Sequence, residues 1–415
     1  MNYKEFFKDK KISVIGIGPH GEMVADIKFL SKLSRQVSLY DIRSEARLQG
    51  FMQVIMGCGL AGCSLGRVAQ DELAKADLII LSPEISRKAL FLKKAHEAGV
   101  RIEYPGILFM KLAPPITLIG IMGACGKSTV ANMLYGILKK SFAGYEDQGL
   151  YFIDPDLPNG AMTHLKKVKS GDIVLARIPE DMMGECYAAR ISPHVAVFTS
   201  LVSSNILEYQ TYNNFVVAPD NVIETIRSQP GFASKAKMLR TKAGNSSLAI
   251  QVSELFKVSQ EDAQDIVSGF SGLKGRQELV KKVGGVEFYN DSASVNPIST
   301  LAAIKAFSIN KNIILIFGGA YTPYDYGELI RSIPEYASIV ILLPGSGTLG
   351  FRSEVEKLKG IKFFQVQNME EAVLVAREYG KKGDRVLFSP GCEAIGVHIS
   401  RKERGEKFVK AVRAL

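Results

Sequence analysis

The sequence predicts an α/β protein in which parallel sheets are flanked by helices, arranged in three successive sets. Three observations carry this. Short apolar runs alternate with longer helical patterns from end to end, two of those runs break into glycine-rich loops that open helices, and 415 residues exceed what one hydrophobic core organises. Apolar residues form 47% of the chain, which fits a globular α/β class and not a fibrous or disordered one.

The first set opens with the strand "KISVIGIG", continues through "QVSLYD" and "ADLIILSP", and fades at "VRIEYPGILFMKLAPP". There Pro105, Pro114 and Pro115 punctuate the chain. The second set begins with "ITLIGIMG", runs through "DIVLAR" and "HVAVFTSL", and ends in the helical "SSLAIQVSELF" and the approach to "GFSGLKGRQE". The third starts at "GVEFYNDSA", passes through "NIILIFGG", "SIVILLPG" and "DRVLFSPG", and closes with the amphipathic tail "KERGEKFVKAVRAL". The expected domains are 1–113, 114–273 and 274–415, without internal repeats or low-complexity segments.

Composition narrows the function. The charged start "MNYKEFFKDKK" runs into "ISVIGIG", too short for a membrane span or a leader, so a cytoplasmic location is expected. Five cysteines lie scattered without metal-ligand spacing, and the odd count argues against a disulfide framework. The net charge of +10 favours anionic partners. No Lys/Arg run is dense enough for a nucleic-acid stripe, so anionic nucleotide substrates are the economical reading and a well-solvated surface the plain one.

The strongest chemical signal is "GIMGACGKSTVANML". After a strand, Gly123, Cys125, Gly126, Lys127, Ser128 and Thr129 lead into a helical pattern. Glycines turn backbone N–H groups onto phosphate oxygens, the helix N-terminus adds positive potential, lysine neutralises the β/γ charge, and a hydroxyl reaches magnesium. Ile121 stands where the common spacing has its first glycine, so the loop is a variant. An ordinary Ser/Thr helix cap is the plain alternative. The N-terminal "GIGPHG", with Gly16, Gly18 and Gly21, also joins strand to helix, and Asp41 ends the next strand where a ribose-binding acid would sit. The same geometry serves a dinucleotide or a nucleotide-sugar diphosphate.

In this order the motifs resemble the Mur ligase family over nearly the whole chain. "VIGIGPHG", "LYDIR" and "LSPEI" are similar to its UDP-binding domain, "IMGACGKST" to its ATP loop and "GLKGRQE" to the entry into its third domain. "YNDSASVNPISTLAAI", "IFGG", "LFSPGCEAIG" and "RGEKF" are similar to third-domain segments. The resemblance implies a Rossmann-like N-terminal domain, a central P-loop ATPase-type domain and a Rossmann-like C-terminal domain. It also implies an ATP-dependent, magnesium-assisted ligase of peptidoglycan synthesis. ATP phosphorylates the carboxylate of a UDP-linked muramoyl peptide, and an amino acid, D-glutamate in the nearest branch, attacks the acyl phosphate.

Carried over by position, Gly123, Gly126, Lys127, Ser128, Thr129, Asn245, Arg276 and Asp291 are expected at ATP, with Lys127 and Asp291 catalytic and Ser128 or Thr129 at the metal. Gly18, Asp41, Arg43, Ser82 and Asn159 are expected at the UDP-linked substrate, with Pro83 and Gly160 on the same loops. Several family positions are altered. Ala176 stands for the acidic magnesium ligand, with Glu180 and Asp181 displaced nearby. Ser204 and Asn205 replace an Asp-His pair, and Pro219 or Asp220 falls where a carbamylated lysine belongs. No lysine occurs between Leu201 and Ser234. Ala293, Val295, Ala320, Tyr321 and Gly275 occupy amino-acid-clamp or neighbouring positions, as do Ala394 and His398. His20 and His398 read as surface or packing residues, Cys125 as a spacer, and Arg401, Lys402 and Arg404 as a solvated face. A second reading follows, a nucleotide-binding relative with a regulatory role or a different acceptor. A dinucleotide-dependent enzyme is a third.

Overall fold

The computed structural model describes residues 2–18, 21–123, 125–142, 148–155, 157, 159–179, 182–200, 215–227, 237–242, 244–322, 324–394 and 401–415. The chain divides into two compact units, Met1–Gly269 and Phe270–Leu415.

The first unit holds two wholly parallel sheets. One comprises β1 (Ile12–Ile15), β2 (Val37–Asp41), β3 (Gly62–Leu65), β4 (Leu78–Leu81) and β5 (Arg101–Glu103) in the order β3-β2-β1-β4-β5. The other comprises β6 (Thr117–Met122), β7 (Leu150–Ile153), β8 (Ile173–Arg177), β9 (Val195–Phe198), β10 (Phe215–Pro219) and β11 (Lys237–Thr241) in the order β11-β10-β9-β6-β8-β7. Interior strands β1, β4 and β9 are buried at every residue, as a sheet covered by helices on both faces requires.

The second unit holds β12 (Glu278–Val283), β13 (Val286–Asn290), β14 (Ile313–Phe317), β15 (Ala337–Leu342), β16 (Lys362–Gln365) and β17 (Arg385–Phe388), ordered β12-β13-β17-β14-β15-β16. Here the expectation of parallel pairing fails at one edge, because β12 and β13 are antiparallel. The cause is local: Gly284 and Gly285 both take positive φ (59° and 82°), the two-residue hairpin geometry that glycine adopts without strain. Side-chain caps fix several helix starts. Asn296 accepts from the Ser299 N–H before Pro297–Phe307, which carries proline in its first turn, and Asn368 accepts from the Glu371 N–H before Met369–Tyr379.

Within the first unit the two sheets are joined by side chains as well as by chain continuity. Helix Pro105–Leu112, started by Pro105, and helix Val24–Leu30 both pack on the short 3-10 turn Met162–Lys166. Arg87 pairs with Glu185 at 2.9 Å. A buried ion pair ties the ends of β7 and β8: Arg177 Nε donates to Asp154 Oδ1 at 2.6 Å, with both side chains under a tenth exposed. The Asp154→Asn variant is expected to cost about 3–5 kcal/mol in urea unfolding, because it removes a buried carboxylate charge 2.6 Å from the Arg177 guanidinium. Arg240→Ala, which removes an exposed pair with Asp220 and Glu224, is expected to cost no more than ~1 kcal/mol.

Candidate functional site

The phosphate-type loop grows from the carboxyl end of β6, a strand buried at five of its six residues. Gly123 (φ 125°) and Gly126 (φ 83°) supply the two turns that other residues adopt only with strain. Their missing Cβ atoms also matter: one at Gly123 would strike Thr199 Oγ1, and one at Gly126 would strike the Asn245 amide oxygen. The end of β9 buttresses the loop, since the Thr199 hydroxyl reaches the Met122 and Cys125 carbonyls at 3.0 and 2.5 Å. Ser200 Oγ accepts from the Cys125 N–H at 3.2 Å.

Gly126 caps the helix Lys127–Ser141, whose positive end therefore points into the loop. Lys127 Nζ donates to the Gly123 carbonyl, which holds the ammonium at the loop. Ser128 is buried and Thr129 half-buried in the first turn. Asn245 opens a second helix, Asn245–Glu254, which packs along the first. The structure thus gathers Gly123, Gly126, Lys127, Ser128, Thr129 and Asn245 into one place. One strand away, β8 pairs Ala176 with Gly120 and then delivers Arg177. Among the described residues, no three His, Cys, Asp or Glu side chains gather to hold a metal ion.

At the first sheet, Gly16, Gly18 and Gly21 all take positive φ between 81° and 85°. Asp41, buried at the end of β2, organises this loop. Its Oδ2 accepts from the Ile17 N–H at 3.0 Å and Arg43 Nη2 at 2.6 Å, and its Oδ1 accepts from the Arg43 N–H and Nε, each at 2.9 Å. Four donors fill the lone-pair sites of a carboxylate. Burial works to raise its pKa, but the Arg43 guanidinium and the two N–H groups hold it below the usual carboxylate value. Arg43 also reaches the Gly18 carbonyl at 3.2 Å. Gly18, Asp41 and Arg43 form one cluster, with Asp41 acting through Arg43, which is unlike an acid free to bind ribose. Ser82 lies fully buried after β4, beneath Gly16.

Asn159 is exposed, and the turn it makes with Gly160 sits on Asp26 of helix Val24–Leu30. Asp26 lines a cavity of about 60 Å³ whose wall combines Met23, Phe109 and Met182 with Asp154 and Arg177. Burial pushes the Asp26 carboxyl up to about 7 against the pull of the N–H groups of Met162, Ala161 and Thr163. Sequence reasoning missed Asp26, Asp154 and Arg177, because no local pattern marks a partner so distant along the chain.

In the second unit Asp291 is buried at the end of β13. Ser389 Oγ donates to its Oδ2 at 2.8 Å and the Gln277 N–H to its Oδ1 at 3.2 Å. Burial raises its pKa to about 6, while Ser294, Ser389, the Gln277 N–H and Arg276 pull the other way. Arg276 belongs to the turn closed by its own N–H to the Leu273 carbonyl at 3.1 Å. One expectation is corrected here. Arg404 is not part of a solvated face but is 1% exposed. It donates to the Glu393 carbonyl at 3.0 Å and the Ser292 carbonyl at 3.4 Å and sits over the Phe388 ring. Its helix packs against β12 and β13, which draws position 404 inward. Arg401 and Lys402 remain exposed and pair with Glu393 and Glu406. His20, Glu180, Asp181, Ser204, Asn205 and His398 lie outside the described residues.

Comparison with known proteins finds two domain families in the chain: "Mur ligase MurD-like, N-terminal domain" over residues 10–103 and "Mur ligase, glutamate ligase domain" over residues 275–392. The UDP-N-acetylmuramoylalanine–D-glutamate ligase of Clostridium botulinum (strain Okra) is 26% identical, covering 100% of this chain and 98% of the relative. That of Bdellovibrio bacteriovorus is 27% identical, with 99% of each covered. Among solved structures, the UDP-N-acetylmuramate-alanine ligase MurC of Thermotoga maritima superposes with a TM-score of 0.61 at 15% identity, covering 98% of this chain and 99% of that one. The MurF ligase of Thermotoga maritima, solved with ADP, gives 0.54 at 16% identity, with 91% and 95% covered. At such identities the structures speak for the fold.

The burial of Asp291 has a measurable sign. Its folded pKa of about 6 lies above the ordinary 3.8, so the folded form keeps a proton that the unfolded chain has released. Stability from this group is full below pH 4 and declines as pH rises to about 6, by about 3 kcal/mol at most. Calorimetric unfolding of Asp291→Asn across this window is expected to show a correspondingly smaller decline than the wild-type chain.

Proposed function

Because the chain belongs to the Mur ligase family, we propose that it is an ATP-dependent amide-bond-forming ligase of peptidoglycan-precursor synthesis, adding D-glutamate to UDP-N-acetylmuramoyl-L-alanine. The observation that carries this reading is the loop at residues 123–129. Two positive-φ glycines, a lysine held at the loop, a buried Ser128 and a helix N-terminus converge there, with Asn245 packed on Gly126. The full-length likeness to D-glutamate ligases supports the choice of acceptor.

In this reading a carboxylate oxygen of the muramoyl peptide attacks the γ-phosphorus, and the bond from that phosphorus to the β,γ-bridging oxygen breaks to release ADP. The amine nitrogen of the acceptor then attacks the acyl carbon, phosphate leaves with the C–O bond electrons, and the nitrogen gives up a proton. Lys127 and the loop N–H groups offset the charge on the transferring phosphoryl group. Magnesium, when bound, adds its charge at the phosphates. The Ser128 or Thr129 hydroxyl would give it a hard oxygen ligand. Arg43, oriented by Asp41, is assigned to the diphosphate of the UDP moiety, and Gly18, Ser82 and Asn159 are assigned to the same substrate. In the second unit Arg276 and Asp291 are assigned to the nucleotide.

A second reading rests on β8. Ala176 offers no oxygen where the family presents a metal-binding acid, and the next residue is an arginine already committed to Asp154. That favours a protein that binds ATP without ligating. Phosphate release with magnesium-ATP and UDP-N-acetylmuramoyl-L-alanine, with and without D-glutamate, separates the two. The ligase reading expects release that requires both substrates and falls at least about a hundredfold in Lys127→Ala. ATP binding weakened by Lys127→Ala, without release by the wild-type chain, would sink it in favour of the second.

A further inference from the structure

Asp26 is hard to explain as packing. It occupies a helix whose neighbouring residues Ile27, Phe29 and Leu30 are core, it is 2% exposed, and an apolar residue there would avoid the cost of burying a carboxyl group. Its partner lies in the turn between β7 and β8, strands of the other sheet of the same unit. Asp26 Oδ1 accepts from the Met162 N–H at 2.9 Å, a bond between residues 136 positions apart, and the N–H dipoles of Ala161 and Thr163 beside it favour the charged carboxylate. The Met162 N–H is the first donor of the turn Met162–Lys166.

The contact is also close. Gly160 has φ 67°, and a Cβ there would lie 2.7 Å from Asp26 Oδ1 and 3.0 Å from Ala25 Cβ. From the other side Thr163 Oγ1 reaches the carbonyls of Asn159 and Gly160, each at 2.8 Å. The backbone of the turn is therefore pinned on both sides while the Asn159 residue stays exposed. Helix Val24–Leu30 itself begins just after the Gly16, Gly18 and Gly21 loop, so Asp26 connects that loop to the Asn159 turn through less than one turn of helix.

We propose that Asp26 is a positioning residue that locks the turn at Asn159 and Gly160 to the helix following the glycine-rich loop. The two halves of the first unit then recognise a UDP-linked substrate as one preformed surface. This rests on the proposed reading of that substrate, while the lock itself is a property of the chain. Glu22, Asp154 and Arg177 line the same cavity, but it is Asp26 that accepts from the Met162 N–H.

The test compares wild type, Asp26→Asn and Asp26→Ala by calorimetric titration with UDP-N-acetylmuramoyl-L-alanine and, separately, with magnesium-ATP. Asp26→Ala is expected to weaken the UDP-linked substrate roughly tenfold or more while ATP affinity stays within about twofold of wild type, a difference inside the usual scatter of a surface substitution. Asp26→Asn, which keeps one acceptor oxygen, should recover most of the loss. Equal weakening of both ligands, or no weakening of either, overturns the proposal. If the wild-type chain fails to bind the UDP-linked substrate, the functional reading fails on its own, and hydrogen exchange decides the lock. Faster exchange at the amides of Ala161, Met162 and Thr163 in Asp26→Ala, with the helix Lys127–Ser141 unchanged, supports it, and unchanged exchange at those three amides overturns it.

Discussion

Parallel pairing is the constraint from which the rest follows. It sends every connection back across a face of the sheet, so the carboxyl ends of neighbouring strands, and the N-termini of the helices after them, collect on one edge. The loops after β1 and β6 each lie on such an edge of their own sheet, and Asp291 follows β13 in the same sense in the second unit. Orphan N–H groups and helix dipoles concentrate there, and the chain answers with glycines, hydroxyls and buried carboxylates. Asp41, Asp26 and Asp291 differ in fate because their donors differ. A guanidinium keeps Asp41 charged, whereas burial dominates the other two.

How far the fold was legible depended on where a strand sits. Interior strands such as "ISVI", "LIIL", "VAVF" and "IILIF" are continuous apolar runs because helices cover both faces. The overlooked strands were mostly edges: β3 "GCSL", β7, β11 "KMLRT", β12 "ELVKKV" and β16 "KFFQ", whose half-exposed residues leave no such run. β10 was the interior exception, with a short "FVV" ending in a proline. The double glycine at 284 and 285 carried a readable hairpin signal that the surrounding parallel pattern masked. At the site, the phosphate loop was legible because its geometry is contiguous in sequence. The bond from Met162 to Asp26, the pair of Arg177 with Asp154, and the burial of Arg404 depend on strands and helices meeting across long separations, which a single sequence does not display.

The electrostatics of the first unit also separate holding a phosphate from transferring it. Holding needs backbone N–H groups and one cation, and residues 123–129 provide both. Transfer asks for added positive charge at the right oxygens, normally recruited by anionic side chains. Among the described residues the end of β8 presents Ala176 and an arginine whose Nε donates to Asp154, and neither supplies an anionic ligand. The sequence relatives are named D-glutamate ligases and one fold neighbour an alanine ligase, so the frame alone does not name an acceptor.

The hairpin at Gly284 and Gly285 reaches beyond local topology. By folding β12 back on β13 it makes an irregular strand the outer border of the third sheet, with a register shift between Leu279 and Lys281 and the charged side chains of Lys281 and Lys282 along it. A bulged, lysine-bearing border is a poor template for another chain's backbone. The opposite border, β16, begins with the exposed Lys362. The β12 border is therefore the one the chain guards against strand addition by backbone irregularity as well as charge.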